Sequence, residues 1–254
     1  MLLVARSKES LESYLVKIMG KDGGNYKQHR NEDITSKLNI AGFYPLDIMV
    51  TGVTGAGKST TLNAIFEKDV AEEGNGVDPQ TMTIDSYYLS ERRLRLWDTP
   101  GLGDGIKADA IHSRKIVDLL HKSYGGSESY GFIDLVLVIL DGGSRDLGTT
   151  YKLLNEVIIP NVQSDRILIA INQCDMGLKG KGWIPAANKP SKELLKQLDE
   201  KVISIQERVY NETAVWIEEP IYFSALYNFN IYQLLDLIID NIPKERRRFL
   251  QKSF

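Results

Sequence analysis

The sequence predicts an α/β fold of three layers, in which a mostly parallel sheet has helices on both of its faces. A glycine-rich stretch with the pattern GxxxxGKS, at residues 52–59, lies between an apolar run and a helical pattern. Two further runs, 135–140 and 167–171, contain only aliphatic residues, as is typical of parallel strands that are covered on both sides. A helical pattern at 148–158 separates these runs, so strands and helices alternate along the chain.

The composition fits one α/β domain with elaborations, or one domain with a small appendage. The 254 residues are 43% hydrophobic, and their formal net charge of −3 provides no basic field for nucleic acid or an anionic membrane. The longest apolar run, 132–140, contains Asp134 and is too short to cross a bilayer. The single cysteine, Cys174, allows no internal disulfide, and the start of the chain lacks a signal-peptide pattern. We therefore expect a cytoplasmic protein without a membrane segment.

An N-terminal extension precedes the first strand. The spacing of apolar residues in 1–20 predicts an amphipathic helix, and the polar, glycine-containing residues 21–31 predict an exposed loop. We accordingly divide the chain into a helical extension with a loop at 1–44, a main domain at 45–243 and a basic tail at 244–254. Three consecutive arginines in that tail are expected to be solvated.

The GxxxxGKS pattern predicts a loop that binds phosphate groups, because it follows the apolar run 46–50 and leads into the helical pattern 61–66. Glycines allow successive backbone N–H groups to point at an anion, and the start of the helix adds its positive dipole. Lys58 is expected to reach the outer phosphates, and the Ser59 hydroxyl is expected to ligate Mg²⁺. The residues predicted to contact the nucleotide here are Thr54, Gly55, Ala56, Gly57, Lys58, Ser59 and Thr60. An incidental glycine-rich turn is the alternative, but every fixed position of the pattern is filled.

Residues 70–83 lack a periodic pattern and contain glycine and proline, so we expect a loop beside the nucleotide. Thr81, or otherwise Thr83, would bring a hydroxyl group to Mg²⁺ and a backbone N–H to the γ-phosphate. A solvated loop threonine is nearly as good an account of either residue. Two strands, 86–90 and 94–97, are then expected around a charged tip.

The second of these strands runs into the motif DTPG at residues 98–101. A carboxylate at the end of a strand, three residues before a glycine, suits an outer position around Mg²⁺, with the glycine N–H facing the γ-phosphate. The predicted metal-site residues are therefore Ser59, Thr81 and Asp98. The predicted catalytic residues are Lys58, Thr81 and Gly101.

The strand at 167–171 ends in Asn172-Gln173-Cys174-Asp175, which we interpret as a site for the base. An aspartate carboxylate can accept hydrogen bonds from N1–H and the 2-amino group of guanine, whereas adenine offers no amino group at that place. The Asn172 amide would complement the ring and hold neighbouring loops. NxxD is common in surface turns, but its position at a strand end favours guanine. The predicted base-binding residues here are Asn172, Gln173 and Asp175.

Two helices and an insertion are expected around this site. One helix is predicted at 107–122, and another begins after Ser191, where a helix-capping residue precedes an apolar stripe. Residues 176–190 between the base motif and the second helix are expected to form a solvated loop with an exposed Trp183.

A last short strand at 221–223 leads into Ser224, Ala225 and Leu226, which are predicted to bind the base. From its place in the order of motifs, the backbone N–H of Ala225 is expected to face the guanine O6. A helix at 231–240 closes the domain.

With the phosphate loop, DTPG, NQCD and SAL in that order, residues 45–243 resemble the translation-factor-related class of P-loop GTPases. Within that class, GVTGAGKSTTLNAIF, PQT and DTPGLGDG resemble the Era-like branch, and especially the bacterial YfjP/YeeP-type GTP-binding proteins. The resemblance implies the G-domain fold, binding of GTP or GDP with Mg²⁺, and hydrolysis of GTP. The stretch TGAGKS at residues 54–59 also resembles the phosphate loop of the immunity-associated and septin-like GTPases, which dimerise across the nucleotide face. No RNA-binding appendage is recognisable, so ribosome binding is not indicated.

Three residues depart from the family's pattern, one of them Gly55, which stands where potassium-activated Era-like GTPases have an asparagine. Gln173 replaces the usual lysine beside the base, and Leu102 occupies the place of a glutamine that orients water in many small GTPases. An aliphatic side chain cannot hydrogen-bond the attacking water, so we expect slow turnover. We expect turnover to rise on dimerisation or partner binding, with Arg92, Arg93 or Arg145 as the donor of positive charge.

The main prediction is a guanine-nucleotide-binding protein that hydrolyses GTP slowly as a molecular switch. The alternative is a nucleotide-dependent dimerisation or assembly module with negligible hydrolysis. A third interpretation, an ATPase or small-molecule kinase, shares the phosphate loop but does not explain NQCD. The predicted partners are guanine nucleotide and a second copy of the chain across the nucleotide face.

Overall fold

In the computed structural model, the chain forms a six-stranded sheet with helices on both faces. The structure describes residues 26–66, 84–125, 129–144 and 147–249. The strands of the sheet are β1 Leu46–Gly52, β2 Asp85–Leu89, β3 Leu94–Asp98, β4 Leu135–Asp141, β5 Ile167–Asn172 and β8 Ile221–Tyr222. A separate hairpin is made by β6 Trp183–Ile184 and β7 Lys189–Pro190. The helices are α1 Asn31–Ala41, α2 Lys58–Phe66, α3 Ile106–His121, α4 Gly148–Lys152 with a π-helical continuation Leu153–Ile158, α5 Lys192–Thr213 and α6 Ile231–Asp240.

The six strands are arranged in the order β2-β3-β1-β4-β5-β8. The pair β2 and β3 is antiparallel, and the other described pairs of this sheet are parallel. The parallel strands therefore place their carboxyl ends along one edge of the sheet, with the end of β1 near the middle. We call this the carboxyl edge, and the segments that follow β1, β3, β4 and β5 begin there.

Each face of the sheet is covered by its own apolar core. Along β1, Ile48 and Val50 belong to one core and Met49 belongs to the other, as the alternation of side chains along a strand requires. Helices α1, α2 and α6 complete the first core, and α3, α4 and α5 complete the second. The predicted three-layer α/β fold is confirmed.

The predicted helices and strands of the main domain lie within a few residues of the observed ones. Ser191 caps α5 as expected, because its hydroxyl oxygen accepts a hydrogen bond of 3.2 Å from the Leu194 N–H. Within the described ranges, no helix is both long and apolar enough to cross a bilayer.

The N-terminal region differs from the expectation. The helix predicted at 1–20 lies outside the described residues, and the exposed loop predicted at 21–31 is wrong from Tyr26 onward. Tyr26 is buried against Tyr232, with ring centroids 4.8 Å apart, and α1 packs Ile34 and Leu38 into the first core. Only two positions of α1 are buried, so its helical period is weak in the sequence.

The segment 176–190 is also more ordered than predicted. It forms short 3₁₀ turns and the β6-β7 hairpin, and Trp183 is 8% exposed. The indole packs against Tyr227 and Phe229, with ring centroids 5.1 and 5.2 Å away. The prediction of an exposed Trp183 is wrong because its aromatic partners lie about forty residues later in the chain.

Two of the three arginines predicted to be solvated are buried. The side chain of Arg247 is 1% exposed and donates hydrogen bonds to the carbonyl oxygens of Leu120, Ile133 and Asn161. Arg246 lies beside it and is also buried, whereas Arg248 is exposed. A planar guanidinium with five donors can satisfy carbonyl groups from several segments at once, which explains why these residues lie inside.

Arg246 pairs with a buried carboxylate at the amino ends of the strands. Its Nη1 lies 2.7 Å from Asp134 Oδ2, and the Asp134 side chain is fully buried. The same oxygen accepts a hydrogen bond of 3.2 Å from the backbone N–H of Asp47. Burial raises the pKa of Asp134 from 3.8 to about 7, although Arg246 acts to lower it.

This carboxylate generates a prediction about stability and pH. A raised pKa means that the folded state holds the Asp134 proton more tightly than the unfolded chain does. The resulting stabilisation is complete below about pH 4 and is lost as the pH passes about 7. Relative to Asp134→Asn, the wild type should therefore lose about 4 kcal/mol of unfolding free energy over that range. Urea unfolding of both proteins at several pH values measures this difference, and an advantage of the wild type that grows with pH would contradict it.

Candidate functional site

The phosphate loop lies at the carboxyl edge, between β1 and α2, where the sequence predicts it. Gly55 and Gly57 adopt φ angles of 81° and 82°, a region in which glycine is favoured. A Cβ atom added at Gly57 would lie 2.3 Å from the amide nitrogen of Asn172, and one added at Gly52 would lie 2.2 Å from the carbonyl oxygen of Ile139. The glycines at 52 and 57 therefore allow close approach of neighbouring segments as well as the turn itself.

Lys58 lies over the phosphate loop with its ammonium close to backbone oxygens. Its Nζ is 3.2 Å from the carbonyl oxygen of Val53 and 3.5 Å from that of Gly52. Burial lowers the pKa of Lys58, while Asp98 and Asp104 act to raise it. The ammonium is thus a positive group held at the mouth of the loop, where phosphate oxygens would replace weak carbonyl contacts.

Ser59 and Asp98 face each other beside the loop. The Ser59 hydroxyl donates a hydrogen bond of 3.2 Å to Asp98 Oδ2. The other carboxylate oxygen, Oδ1, is buried and has no hydrogen-bond partner among the described residues. Burial raises the pKa of Asp98, and Lys58 and Ser59 act against that rise. A hydroxyl group next to a half-buried, incompletely paired carboxylate is an oxygen set that fits Mg²⁺.

The DTPG motif packs directly on the phosphate loop. The backbone N–H and the hydroxyl of Thr99 both donate to the carbonyl oxygen of Val50, at 3.1 and 3.0 Å. The N–H of Thr54 donates to the carbonyl oxygen of Leu102 at 2.7 Å. A Cβ atom at Gly101 would lie 2.5 Å from the Thr54 nitrogen, so only glycine allows this approach. Two predicted phosphate-sensing segments therefore lie side by side.

Two residues of α3 hold the DTPG loop from the other side, and nothing in the sequence indicated them. His112 Nδ1 lies 2.6 Å from the carbonyl oxygen of Gly101. Asp109 Oδ1 accepts hydrogen bonds from the N–H groups of Gly103 and Asp104, at 2.8 and 3.2 Å. The loop that would sense the γ-phosphate is thus linked by side chains to helix α3. The local sequence does not indicate these contacts, because each depends on how the backbone of residues 101–104 lies against helix α3.

Leu102 has a structural role. Its side chain is 1% exposed and belongs to the second core, together with Trp97 and Ile116. It therefore points away from solvent, and it has no hydrogen-bonding group that would orient a water molecule.

Asn172 joins three segments at the carboxyl edge. Its amide nitrogen donates to the carbonyl oxygens of Ala56 and Gly57, at 2.9 and 3.4 Å. Its amide oxygen accepts a hydrogen bond of 3.0 Å from the backbone N–H of Ala225. The expectation that Asn172 holds neighbouring loops is confirmed. The N–H of Ala225, expected to face the guanine O6, donates to Asn172 in this structure.

Asp175 and Gln173 flank this junction. Asp175 is 5% exposed, and its Oδ1 atom is buried without a hydrogen-bond partner among the described residues. Leaving a carboxylate oxygen unpaired in a buried place is unfavourable, and a bound donor would relieve it. Gln173 Nε2 donates to the carbonyl oxygen of Gly55 at 2.7 Å, so the glutamine spans from the base motif to the phosphate loop.

The other predicted residues are placed as follows. Ser224 is buried, its N–H bonds the carbonyl oxygen of Phe229 at 3.0 Å, and Leu226 is exposed. Thr60 is exposed at the start of α2. Thr81, Thr83 and Arg145 lie outside the described residues.

Arg92 and Arg93 do not lie at the carboxyl edge. They precede β3, whose first residue pairs with the first residue of β1, so they lie at the opposite edge of the sheet from the phosphate loop. Arg92 is buried, and Arg93 bonds the Asn39 side chain and lies over the Tyr44 ring. The prediction that either arginine supplies charge across the nucleotide face is wrong, because it was based on chain order without the direction of the strand.

Comparison with solved structures supports the fold. Toc33 from Arabidopsis thaliana, in complex with GDP and Mg²⁺, superposes with a TM-score of 0.60 at 15% identity, over 89% of this chain and 95% of that chain. At this level of identity the likeness concerns the fold alone.

Comparison with curated sequences gives shorter matches. The septin homolog spn2 of Schizosaccharomyces pombe is 33% identical over 92 residues, which are 31% of this chain and 28% of that protein. The uncharacterized protein YkfA of Escherichia coli is 24% identical over 165 residues, which are 63% of this chain and 53% of that protein. The chain thus spans between about a quarter and about half of the length of these relatives.

Residues 47–173 match the family described as 50S ribosome-binding GTPase. The matched region runs from β1 to the residue after β5 and therefore includes the phosphate loop, the DTPG motif and the first half of NQCD. Since this is half of the chain, the protein belongs to the 50S ribosome-binding GTPase family.

Proposed function

We propose that this member of the GTPase family binds GTP and GDP with Mg²⁺, hydrolyses GTP slowly as a monomer and acts as a molecular switch. The observation that best supports this proposal is the arrangement at the end of β5. Asn172 ties that strand to the phosphate loop, and Asp175 beside it has a buried oxygen without a partner among the described residues. A guanine ring supplies the N1–H and 2-amino donors that this oxygen lacks.

The base and the phosphates would be bound by one connected frame. Gln173 and Asn172 both donate to carbonyl oxygens of the phosphate loop, so the base motif cannot shift without moving that loop. We propose that Lys58 and the loop N–H groups hold the phosphates, and that Ser224, Ala225 and Leu226 close over the base. The resemblance to YfjP/YeeP-type proteins and a cytoplasmic location belong to the same proposal.

Ser59, Asp98 and, from outside the described residues, Thr81 would hold Mg²⁺. The Ser59–Asp98 hydrogen bond of 3.2 Å and the unpaired Asp98 Oδ1 support the first two assignments. When bound, Mg²⁺ neutralises charge that develops on the phosphate oxygens. Gly101 would contribute its backbone N–H, and the 2.5 Å between a Cβ atom built on Gly101 and the Thr54 nitrogen supports its closeness to the loop.

Slow turnover follows from the side chain at 102. Leu102 is packed into the core and has no hydrogen-bonding group that could orient the attacking water. We propose that dimerisation across the nucleotide face supplies the missing group. For the chloroplast translocon components atToc33 and psToc159, dimerization is important for the GTPase activity, and replacing one arginine of Toc33 with alanine gives a dimerization-deficient mutant. With Arg92 and Arg93 at the opposite edge, Arg145 is the proposed donor in this chain.

The burial of Leu102 also favours a second function. A protein that binds guanine nucleotide without hydrolysing it would act as an assembly module, with the nucleotide fixing an interface between copies. Light scattering with GDP and with a non-hydrolysable GTP analogue, together with an assay of phosphate release from GTP, separates the two. A module must change in mass without releasing phosphate, whereas a switch must release phosphate.

The base site generates a prediction about nucleotide binding. Asp175→Asn should weaken GDP binding on the order of a hundredfold or more, because the carboxylate that accepts two hydrogen bonds from guanine is lost. Titration of nucleotide-stripped protein with fluorescent GDP and Mg²⁺, in competition with ADP, measures this change. Asp165→Asn is the matched control, since Asp165 lies before β5, at the opposite edge, and its side chain is 74% exposed. Equal competition by ADP in the wild type would support an adenine-nucleotide enzyme instead.

The proposed dimer generates a prediction about the turnover rate. The GTP turnover rate per molecule should rise with protein concentration, by about a hundredfold when dimerisation is complete, because a charged donor then reaches the phosphates. Arg145→Ala should remove most of this rise, and Lys58→Ala should abolish turnover at every concentration.

Arg93→Ala is the control for the arginine substitution, since it removes an equal charge at the opposite edge of the sheet. A turnover rate that does not depend on concentration, or that falls equally in both arginine variants, would contradict the dimer proposal while leaving the guanine site untouched.

A further inference from the structure

Lys201 reaches from the middle of α5 to the loop that follows β4. Its ammonium donates hydrogen bonds to three backbone carbonyl oxygens, those of Asp141, Gly142 and Ser144, at 3.1, 2.9 and 2.9 Å. Lysine has three N–H donors and no acceptor, so the side chain uses its complete hydrogen-bonding capacity on this one loop. Burial lowers the pKa of Lys201, and the nearby Asp141 acts to raise it.

The side chain of Asp141 also holds the backbone of this loop. Asp141 Oδ1 accepts hydrogen bonds from the N–H groups of Gly143 and Ser144, at 2.7 and 3.2 Å. These two N–H groups therefore point toward the Asp141 side chain, while three carbonyl oxygens of the loop point toward Lys201. Without the ammonium, three partly buried carbonyl groups would have to find water or move.

This loop lies against the backbone of the base motif. The N–H of Gly142 donates to the carbonyl oxygen of Asn172 at 2.7 Å. A Cβ atom at Gly142 would lie 2.6 Å from that same oxygen, and one at Gly143 would lie 3.0 Å from Met176 Cβ. The loop at 141–144 thus contacts residues 172 and 176, which lie before and after Asp175 in the sequence.

Helix α5 provides a rigid support for the lysine. Val202 and Ile205 are buried in the second core, and Leu194 and Leu198 pack against Cys174 in a third apolar cluster. Because the helix is held at both places, the position of the Lys201 stem is fixed relative to the base motif.

We propose that Lys201 is a positioning residue of the guanine site, which holds the 141–144 loop against Asn172 and so sets the placement of the Asp175 carboxylate. This inference rests on the proposed function of the base motif. Lys201 does not touch the nucleotide; it acts through the backbone of the loop.

The test compares GDP with IDP, whose base lacks the 2-amino group that Asp175 would bind. In Lys201→Met, GDP affinity should fall about tenfold, as expected when a charged donor is lost from a network. IDP affinity should fall less, so the preference for GDP over IDP shrinks. A general loss of stability would lower the melting temperature but leave this ratio unchanged in the folded protein.

Two further variants complete the experiment. Lys196→Met removes a lysine of the same helix whose side chain is 80% exposed, and it should leave both affinities unchanged. Lys201→Gln keeps two N–H donors and should lie between wild type and Lys201→Met, which also provides a measurement if the methionine variant does not fold.

An unchanged preference for GDP over IDP in Lys201→Met, or in Lys201→Gln if only that variant folds, would overturn the inference while the guanine site stands. If the wild type shows no preference for GDP over ADP, the proposed function itself fails. The two failures are therefore distinguishable.

Discussion

The hydrogen bonds of the Asn172 amide are the constraint on which the site depends. The amide nitrogen binds the phosphate loop, and the amide oxygen binds the N–H of Ala225, so three loops from distant parts of the chain meet at one side chain. Gly57 must lack a side chain for this contact to exist, since a Cβ atom there would lie 2.3 Å from the amide. The glycine of the phosphate loop and the asparagine of the base motif are therefore parts of one structural requirement, although they are far apart in the sequence.

The sequence was sufficient to predict the fold and the position in it of the segments that make up the proposed site. Aliphatic runs without alternation identify strands covered on both faces, and the parallel arrangement then forces the segments after β1, β3 and β5 to the same edge. The glycine pattern at 52–59 and the polar residues at the end of β5 can be recognised from residue type and spacing alone. These features are readable because each depends on backbone geometry within a few residues.

The features that were missed depend on contacts between distant segments. Arg247 is buried because carbonyl groups of three other segments converge on it, and Trp183 is buried because two aromatic rings arrive from a later loop. Lys201 and His112 bind backbone carbonyl groups, whose positions follow from the complete fold and leave no trace in residue type. The misplacement of Arg92 has a different origin, because the direction of β3 already puts the residues before that strand at the edge opposite the phosphate loop.

The pairing of Asp134 with Arg246 has a consequence for synthesis of the protein. The two residues are 112 positions apart, and at roughly 5–20 residues per second the arginine is added about 6–22 s after the carboxylate. During that interval the strands around Asp134 are available to assemble, but the Arg246 guanidinium that pairs with its carboxylate is not yet present. The raised pKa of this carboxyl group favours its neutral form in the folded chain. A neutral acid can be buried in an apolar interior at a much lower desolvation free energy than a charged one. The growing chain can thus begin to form its central sheet before Arg246, which pairs with Asp134, has been synthesised.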